Sequence, residues 1–366
     1  MLQEAPREPA NTIAKPDQRA ITSSDATRNT EVQACLEALA KRCKEHGIDL
    51  NSGGIAFGGS ISYGLDTPES DVDLRGFALP PAHDILMMHD FGTLDTTSGA
   101  DYALHSLNKT CDLLLACNPN TIELLGVLPE HIIVDSDAYS TLRTHADWFV
   151  SRKCAATFGG YAAHQLRRIE NALNREDEDK VADNALRSIR SSLESLADQH
   201  PSLAQSSFTV HEREGRIVVS GELHGASFSD LKAFAGECND TALNAASLAA
   251  RNIKRTSSKL AKHASHLIRM LQMGSRMLET GQITTWCGDD RELLLNLKKG
   301  MWLHESPDGT RAYDDAFWDL LREEQARFER AKRETSLPAA PDEGAVREFV
   351  HDIHQRIVLE AAANSD

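Results

Sequence analysis

A glycine-rich turn constrains this chain more than any other feature of its sequence. Residues 55–64 read Ile-Ala-Phe-Gly-Gly-Ser-Ile-Ser-Tyr-Gly, which predicts a strand that enters a tight turn and then a helix. Glycines let backbone N–H groups approach an anion closely, and the N-terminus of the following helix favours negative charge. Gly58, Gly59 and Ser60 are therefore candidate phosphate ligands. A plain hairpin turn is the alternative interpretation of the glycines alone.

Two aspartates follow this turn, Asp71 and Asp73, seven and nine residues after Gly64. On a strand, positions i and i+2 point to the same face about 6.6–7 Å apart, so Val72 and Leu74 would face the core. Paired carboxylates suit hard divalent cations such as Mg²⁺. Two such ions can stabilise both the attacking and the leaving oxygen of a phosphoryl displacement. An exposed strand edge would also explain the acids alone, but turn and acids together predict a site for a metal-bound triphosphate.

The combined segment, residues 58–76, resembles the signature of the DNA polymerase β-type nucleotidyltransferases. More narrowly, it is similar to the predicted nucleotidyltransferases that include the RNA-ligase-associated group. The resemblance extends from about residue 53 to 302, with a divergent middle between about 176 and 245. It implies an α+β fold, in which a small mixed sheet flanked by helices precedes a mainly helical region with one β-hairpin.

The same resemblance implies an activity and a set of site residues. The expected reaction is the Mg²⁺-dependent transfer of a nucleoside monophosphate from an NTP such as ATP to a hydroxyl, with release of pyrophosphate. Asp71 and Asp73 would hold two Mg²⁺ ions, for which Mn²⁺ can substitute, and Asp101 would complete the metal site and serve as general base. Asp95 is the reserve for this third carboxylate. Tyr63 is a candidate nucleotide contact.

Arg75 has two open interpretations, because it can contact the nucleotide or the acceptor, or pair with Asp73 or Glu69. Asn118 is expected to stabilise a turn, and Asn120 with Glu123 has the spacing of a capping box.

A strongly basic segment runs from Arg251 to Arg276, with seven Lys or Arg residues and no acid in a chain of net charge −16. Helical spacing puts a basic stripe on one face and an apolar stripe on the other. The basic stripe consists of Arg255, Lys259, Lys262, His266 and Arg269, and the apolar stripe of Leu260, Ala264, Leu267 and Leu271. A solvated helix face is the simpler interpretation. The resemblance implies instead that Lys262, His266 and Arg269 hold the triphosphate.

The remaining sequence predicts how the chain is organised. A polar tail over residues 1–30 precedes a nucleotidyltransferase core over 31–146, whose first helix should run from about Glu31 to His46. A helical nucleotide- and substrate-binding region over 147–334 contains a hairpin near 207–222 and a long helix from about Asn252 to Thr280. A linker and a short helix fill residues 335–366. The seven cysteines lack CxxC spacing, which is typical of buried thiols in a reducing compartment.

Three hypotheses about function follow. The first is the nucleotidyltransferase, with an RNA end favoured as acceptor over a small molecule. The second is a nucleotide-binding or regulatory protein without turnover. The third is an enzyme that adenylylates a protein. No apolar run approaches the roughly 20 residues that span a bilayer, and no signal sequence is visible, so a cytoplasmic protein without membrane contact is expected. The sequence leaves the oligomeric state open.

Overall fold

The computed structural model describes residues 26–68, 70–96, 101–173, 207–213, 216–222, 232, 257–307 and 310–364. Most of the predicted tail and the start of the predicted long helix, residues 252–256, lie outside these ranges. The first helix begins at Ala26, five residues before the predicted start, so the expectation of a tail to residue 30 is wrong for residues 26–30.

A five-stranded mixed sheet forms the centre of the N-terminal part, and its strands lie in the order β3-β4-β2-β1-β5. The strands are β1 Gly54–Phe57, β2 Asp73–Ala78, β3 Thr93–Asp95, β4 Asp101–Ser106 and β5 Ile132–Asp135. Strands β2 and β4 are parallel, whereas the other neighbouring pairs are antiparallel. The predicted α+β class is confirmed.

Helices surround this sheet and make up most of the remaining described chain. Before residue 150 they are α1 Ala26–Glu45, α2 Gly59–Tyr63, α3 Ala82–Leu86, α4 Leu107–Leu115, α5 Pro119–Ile122 and α6 Asp137–Thr144. The later helices are α7 Lys153–Leu173, α8 Ser257–Thr280, α9 Arg291–Lys298, α10 Asp315–Glu334 and α11 Glu343–Ala363. Within the described ranges, no helix has both the length and the apolar character that crossing a bilayer requires.

Apolar side chains at helical spacing on α1 seal one face of the sheet. Cys35, Leu39 and Cys43 pack in one buried cluster with strand residues that include Leu74 and Leu104. Because side chains alternate along a strand, this packing leaves the neighbouring residues of β2 and β4 on the opposite face. The six described cysteines are buried and free, as predicted, while Cys238 lies outside the described residues.

The chain divides into two compact units. The first combines residues 1–164, 265–297 and 317–366, and contains the five-stranded sheet. The second combines residues 165–264 and 298–316. It contains the predicted hairpin, formed by β6 Ser207–Arg213 and β7 Arg216–Glu222, and a small strand pair, β8 Leu303–Glu305 with β9 Arg311–Tyr313.

Two local predictions are wrong for identifiable reasons. The capping box of Asn120 with Glu123 does not form, because Asn118 is the N-cap of α5 and its side chain accepts from the N–H groups of Asn120 and Thr121. Pro119 occupies the first helical position, where its missing N–H costs nothing. The closing helix α11 is 21 residues long rather than short, and Asp342 caps it by accepting from the N–H of Ala345.

A buried carboxyl between α8 and α10 predicts a pH-dependent stability. Gln272 Nε2 donates to Glu324 Oε1 over 2.9 Å, while Gln272 Oε1 and Glu324 Oε2 are buried with no hydrogen-bond partner among the described residues. Burial raises the pKa of Glu324. When folding raises the pKa of a group, the contribution of that group to folding stability is fully present at low pH. This contribution is lost as pH rises through the pKa of the folded state. Glu324→Gln is therefore expected to raise the free energy of urea unfolding at pH 8, with a difference that shrinks toward pH 4.

The matched control for this prediction is Glu279→Gln, because Arg327 lowers the pKa of Glu279 through two short hydrogen bonds. A lowered pKa gives stability that is present at neutral pH and lost on acidification. Glu279→Gln should thus be less stable than the wild type at pH 8. Equal pH profiles for the two variants would contradict the assignment of Glu324.

Candidate active site

The glycine-rich turn lies directly against Asp73. Strand β1 ends at Phe57, and the N–H of Gly58 donates to the carbonyl oxygen of Asp73 over 2.8 Å. Gly59 has a φ of +55°, and a Cβ at this position would lie 3.0 Å from Asp73 Oδ2. A side chain here would therefore be strained and would crowd the carboxylate. Half-buried Ser60 follows in α2, so the structure brings together the predicted turn and the second predicted acid.

The two predicted acids do not share one strand, since β2 begins at Asp73 and Asp71 lies in the segment before it. The alternation that was predicted is nevertheless present, because Val72 and Leu74 are buried while Asp71 is exposed and Asp73 is half-buried. Strand pairing starts only at Asp73, where the parallel neighbour β4 also begins. Asp71 thus stands just beyond the end of the paired sheet.

The strand register puts Asp101 beside Asp73. The two aspartates are Cα partners at the first position of the parallel β2–β4 pair. Asp95 on β3 is instead the partner of Ala103, two residues further along β4. The Asp101 side chain is 60% exposed, so its carboxylate is open to a ligand. Of the two candidates for a third carboxylate, Asp101 is the one adjacent to Asp73 in the sheet.

Arg75 is paired with Asp73, which was one of its two open interpretations. Its Nε lies 2.9 Å from Asp73 Oδ1, and its Nη2 donates to Asp73 Oδ2 over 3.0 Å. The same Nη2 lies 3.9 Å from Asp101 Oδ1. Burial raises the pKa of Asp73, and the positive charge of Arg75 opposes that shift. The guanidinium of Arg75 thus places a positive charge close to the carboxylates of both Asp73 and Asp101.

The carboxylates at this site suit a divalent ion that is also coordinated by the phosphates of a substrate. Among the described residues, no group of three or more His, Cys, Asp or Glu side chains lies together closely enough to hold a metal. Mg²⁺, however, is usually bound through one or two carboxylates plus substrate phosphates rather than by an all-protein cage. Asp73 and Asp101 supply two such carboxylates on adjacent strands, next to a turn with glycine backbone.

A buried ion pair between Arg269 and Glu123 contacts Tyr63, the last residue of the helix that follows the turn. Arg269 on α8 is 4% exposed, and its Nη1 donates to Glu123 Oε1 over 2.8 Å. The Tyr63 hydroxyl at the end of α2 donates to Glu123 Oε2 over 2.6 Å. The Arg269 guanidinium also lies 3.6 Å from the centre of the Tyr63 ring, in a cation–π contact. These three side chains tie the glycine-rich turn to α5 and α8.

This arrangement changes the expected roles of Tyr63 and Arg269. The structure brings Arg269 to Glu123 and Tyr63 rather than leaving its guanidinium open to an anion, and the Tyr63 hydroxyl is likewise engaged. Burial raises the pKa of Tyr63, so the phenol stays protonated and donates. Burial alone would lower the pKa of Arg269, but its neighbours Tyr63 and Glu123 raise that pKa above the usual value. The charge on Arg269 therefore serves internal packing.

Helix α8 departs from the predicted stripes only in its later part, since Lys259 and Lys262 are exposed but Arg269 of the basic stripe is buried. Its predicted apolar stripe is buried, but from Ala264 to Leu278 most of the other side chains are buried too. Some of the polar ones have internal partners; for example, Ser265 Oγ donates to the carbonyl of Leu294. His266 is half-buried, and its Nδ1 lies 3.2 Å from Arg269 Nη2. Lys262 is exposed and belongs to the second compact unit, and phosphate binding by Lys262 and His266 stays a prediction.

Sequence reasoning missed the role of Glu123. A usable signal was present, because Glu123 stands in an apolar run, Ile-Glu-Leu-Leu-Gly, and Arg269 stands in another, Leu-Ile-Arg-Met-Leu. A charged residue at a position that periodicity assigns to the core needs a buried partner of opposite sign. Two such residues of opposite charge are candidates to pair with each other.

Comparisons with known proteins match the same part of the chain. Residues 54–194 match the profile of the family RlaP, described as the RNA repair pathway DNA polymerase beta family. This match begins at β1 and contains the turn, all four candidate aspartates and Glu123. The predicted resemblance to the polymerase β-type nucleotidyltransferases is confirmed for this segment.

A similar curated protein is an uncharacterized 38.9 kDa protein in the nrdC-mobD intergenic region of Enterobacteria phage T4. It is 25% identical over 183 residues, which are 43% of this chain and 54% of the phage protein. The chain thus matches about half the length of this relative.

Proposed function

We propose that this chain, which carries the core of a polymerase β-type nucleotidyltransferase family, transfers a nucleoside monophosphate from an NTP to a hydroxyl acceptor and releases pyrophosphate. One observation carries the proposal. The Gly58–Gly59 turn lies against the carboxylate of Asp73, and Asp73 is the register partner of Asp101. An anion-binding turn and adjacent acids are what a metal-bound triphosphate requires.

Each group at the site has a task in this reaction. The backbone of Gly59, with the Ser60 hydroxyl, binds the phosphates that leave, whereas the N–H of Gly58 already donates to the carbonyl oxygen of Asp73. Asp73 and Asp101 would hold divalent ions together with the substrate phosphates, and Asp71, exposed before β2, would supply a further carboxylate. Bound Mg²⁺ would stabilise negative charge on the attacking and leaving oxygens. Asp101, the most exposed of the paired acids, accepts the proton of the attacking hydroxyl.

Arg75 occupies the carboxylates that would hold a metal ion. Its guanidinium neutralises Asp73 and lies 3.9 Å from Asp101. With a divalent ion on the same carboxylates, Arg75 would be available to bind a phosphate or the acceptor. Both interpretations of Arg75 from the sequence would then apply.

The direct test is incubation of the purified protein with each α-³²P-labelled NTP, Mg²⁺ and a set of RNA, protein and small-molecule acceptors. We expect label in one acceptor class, pyrophosphate in equal amount, and no label when EDTA is present. The double variant Asp71→Asn/Asp73→Asn is the control. Equal labelling by this variant and the wild type would refute the site. NTP binding with no transfer to any acceptor in a whole lysate would instead favour a regulatory protein.

A further inference from the structure

A cleft of about 550 Å³ opens beside β4, within the first compact unit. Asp101 lies in its lining together with Arg75, His105 and Lys109. Its volume is within the range of about 300–1,000 Å³ that is typical of sites for small ligands. In the proposed function the NTP phosphates bind at the turn that follows β1. None of the turn residues Gly58, Gly59 and Ser60 lines this cleft.

The sheet orders the chemical groups along the cleft. Asp101 and His105 stand on the same face of β4, four residues apart, which corresponds to about 13 Å. Arg75 lies between them, since its register partner is Ala103. The cleft therefore presents an exposed carboxylate at one end and cationic and hydrogen-bonding groups toward the other.

Lys109 supplies the positive charge at the end remote from Asp101. It is exposed at the start of α4, just after β4, and within the part of the chain that the structure describes it makes no ion pair. His105 lines the same cleft, and burial lowers its pKa, to which the charges of Lys109 and Arg75 contribute. His105 Nδ1 lies 2.9 Å from Thr93 Oγ1, which orients the ring and leaves its other nitrogen for a ligand.

We propose that this cleft binds the acceptor and that Lys109 with His105 forms a subsite for a backbone phosphate of a nucleic-acid strand whose terminal hydroxyl lies at Asp101. The proposal rests on the proposed function, because it takes Asp101 as the acceptor end of that site. A protein acceptor has no anion at a fixed distance from its hydroxyl to place at Lys109. A strand end brings both the hydroxyl and, one or two linkages away, a phosphate.

The test compares acceptors that differ in one charge. A short RNA labelled at its 5′ end is used with natural linkages, and then with a neutral methylphosphonate at the first or the second linkage from the 3′ end. The protein variants are Lys109→Gln, Lys109→Arg and, as control, Lys41→Gln. Lys41 is an exposed lysine on α1, the helix that packs on the other face of the sheet.

Binding is measured first, by fluorescence anisotropy without NTP, so that this part is independent of turnover. We expect Lys109→Gln to weaken binding about 10-fold, the usual scale for losing one charge-assisted contact. The slope of log K against log salt should fall by about 0.7, as for one phosphate contact on a single strand. Lys109→Arg should restore most of the affinity, and Lys41→Gln should change neither quantity.

Transfer is measured second, where the NTP assay gives turnover. The methylphosphonate at one of the two linkages should raise KM for the wild type and have no further effect on Lys109→Gln. Transfer that is indifferent to Lys109 and to both neutral linkages, or transfer to protein acceptors alone, would overturn the subsite. Binding that depends on Lys109 without transfer to any acceptor would keep the subsite and refute the proposed reaction.

Discussion

Asp73→Asn is expected to lower the rate of nucleotidyl transfer by at least about 100-fold. A divalent ion contributes several kcal/mol of charge stabilisation, and each 1.36 kcal/mol corresponds to a factor of ten in rate. Asp73 is central to this effect, because it contacts the glycine turn and is the register partner of Asp101. The amide keeps the size of the side chain but removes the charge. The measurement is single-turnover transfer of labelled nucleotide at saturating Mg²⁺.

Two further variants test whether Asp101 or Asp95 is the third carboxylate of the site. Asp101→Asn should lose activity on a similar scale, whereas Asp95→Asn should lose much less, because Asp95 is paired with Ala103 and not with Asp73. The reverse order would assign the third carboxylate to Asp95. Asp147→Asn, an exposed acid on the surface, controls for the loss of one negative charge. Full activity of Asp73→Asn would contradict the site as a whole.

Arg269→Met is expected to lower the free energy of unfolding by about 3–5 kcal/mol, which is the usual cost of leaving one partner of a buried ion pair uncompensated. Glu123 would then be an isolated buried carboxylate, still in contact with the Tyr63 hydroxyl. Urea unfolding followed by circular dichroism measures the loss. The double variant Glu123→Gln/Arg269→Met should recover much of the stability, because it removes both charges.

The matched control is Arg327→Met, which breaks the pair with Glu279 on the surface. That pair has two short hydrogen bonds but is about one-third exposed, so its loss should cost no more than about 1 kcal/mol. Equal losses for Arg269→Met and Arg327→Met would show that the buried pair does not stabilise the fold.

The elements that the sequence predicted well are those set by local pattern. The strand–turn–helix at residues 54–63 follows from three apolar residues and two glycines. The hairpin of β6 and β7 follows from two alternating segments around Glu214-Gly215. In each case the information lies within a few residues of the element itself, because backbone geometry and turn chemistry are local properties.

The predictions that failed concern residues whose burial and hydrogen-bond partners depend on other elements of the fold. Helical spacing places Arg269 on a basic stripe, which either faces solvent or holds a triphosphate. In the structure Arg269 is buried, since it has a partner on another element, Glu123. Asn120 has the spacing of a capping residue, but the helix starts earlier, with Asn118 as its N-cap.

The sequence by itself determined the chemistry of the site: a glycine-serine turn, closely spaced aspartates and an α+β core that carries them. Only the tertiary structure decided which charges meet. Strand register set Asp101 beside Asp73 and left Asp95 further along, and packing joined Glu123 to Arg269 across 146 residues of sequence. The physical reason is that spacing along the chain fixes the direction of a side chain within its own element, whereas partners and burial depend on segments that are distant in sequence.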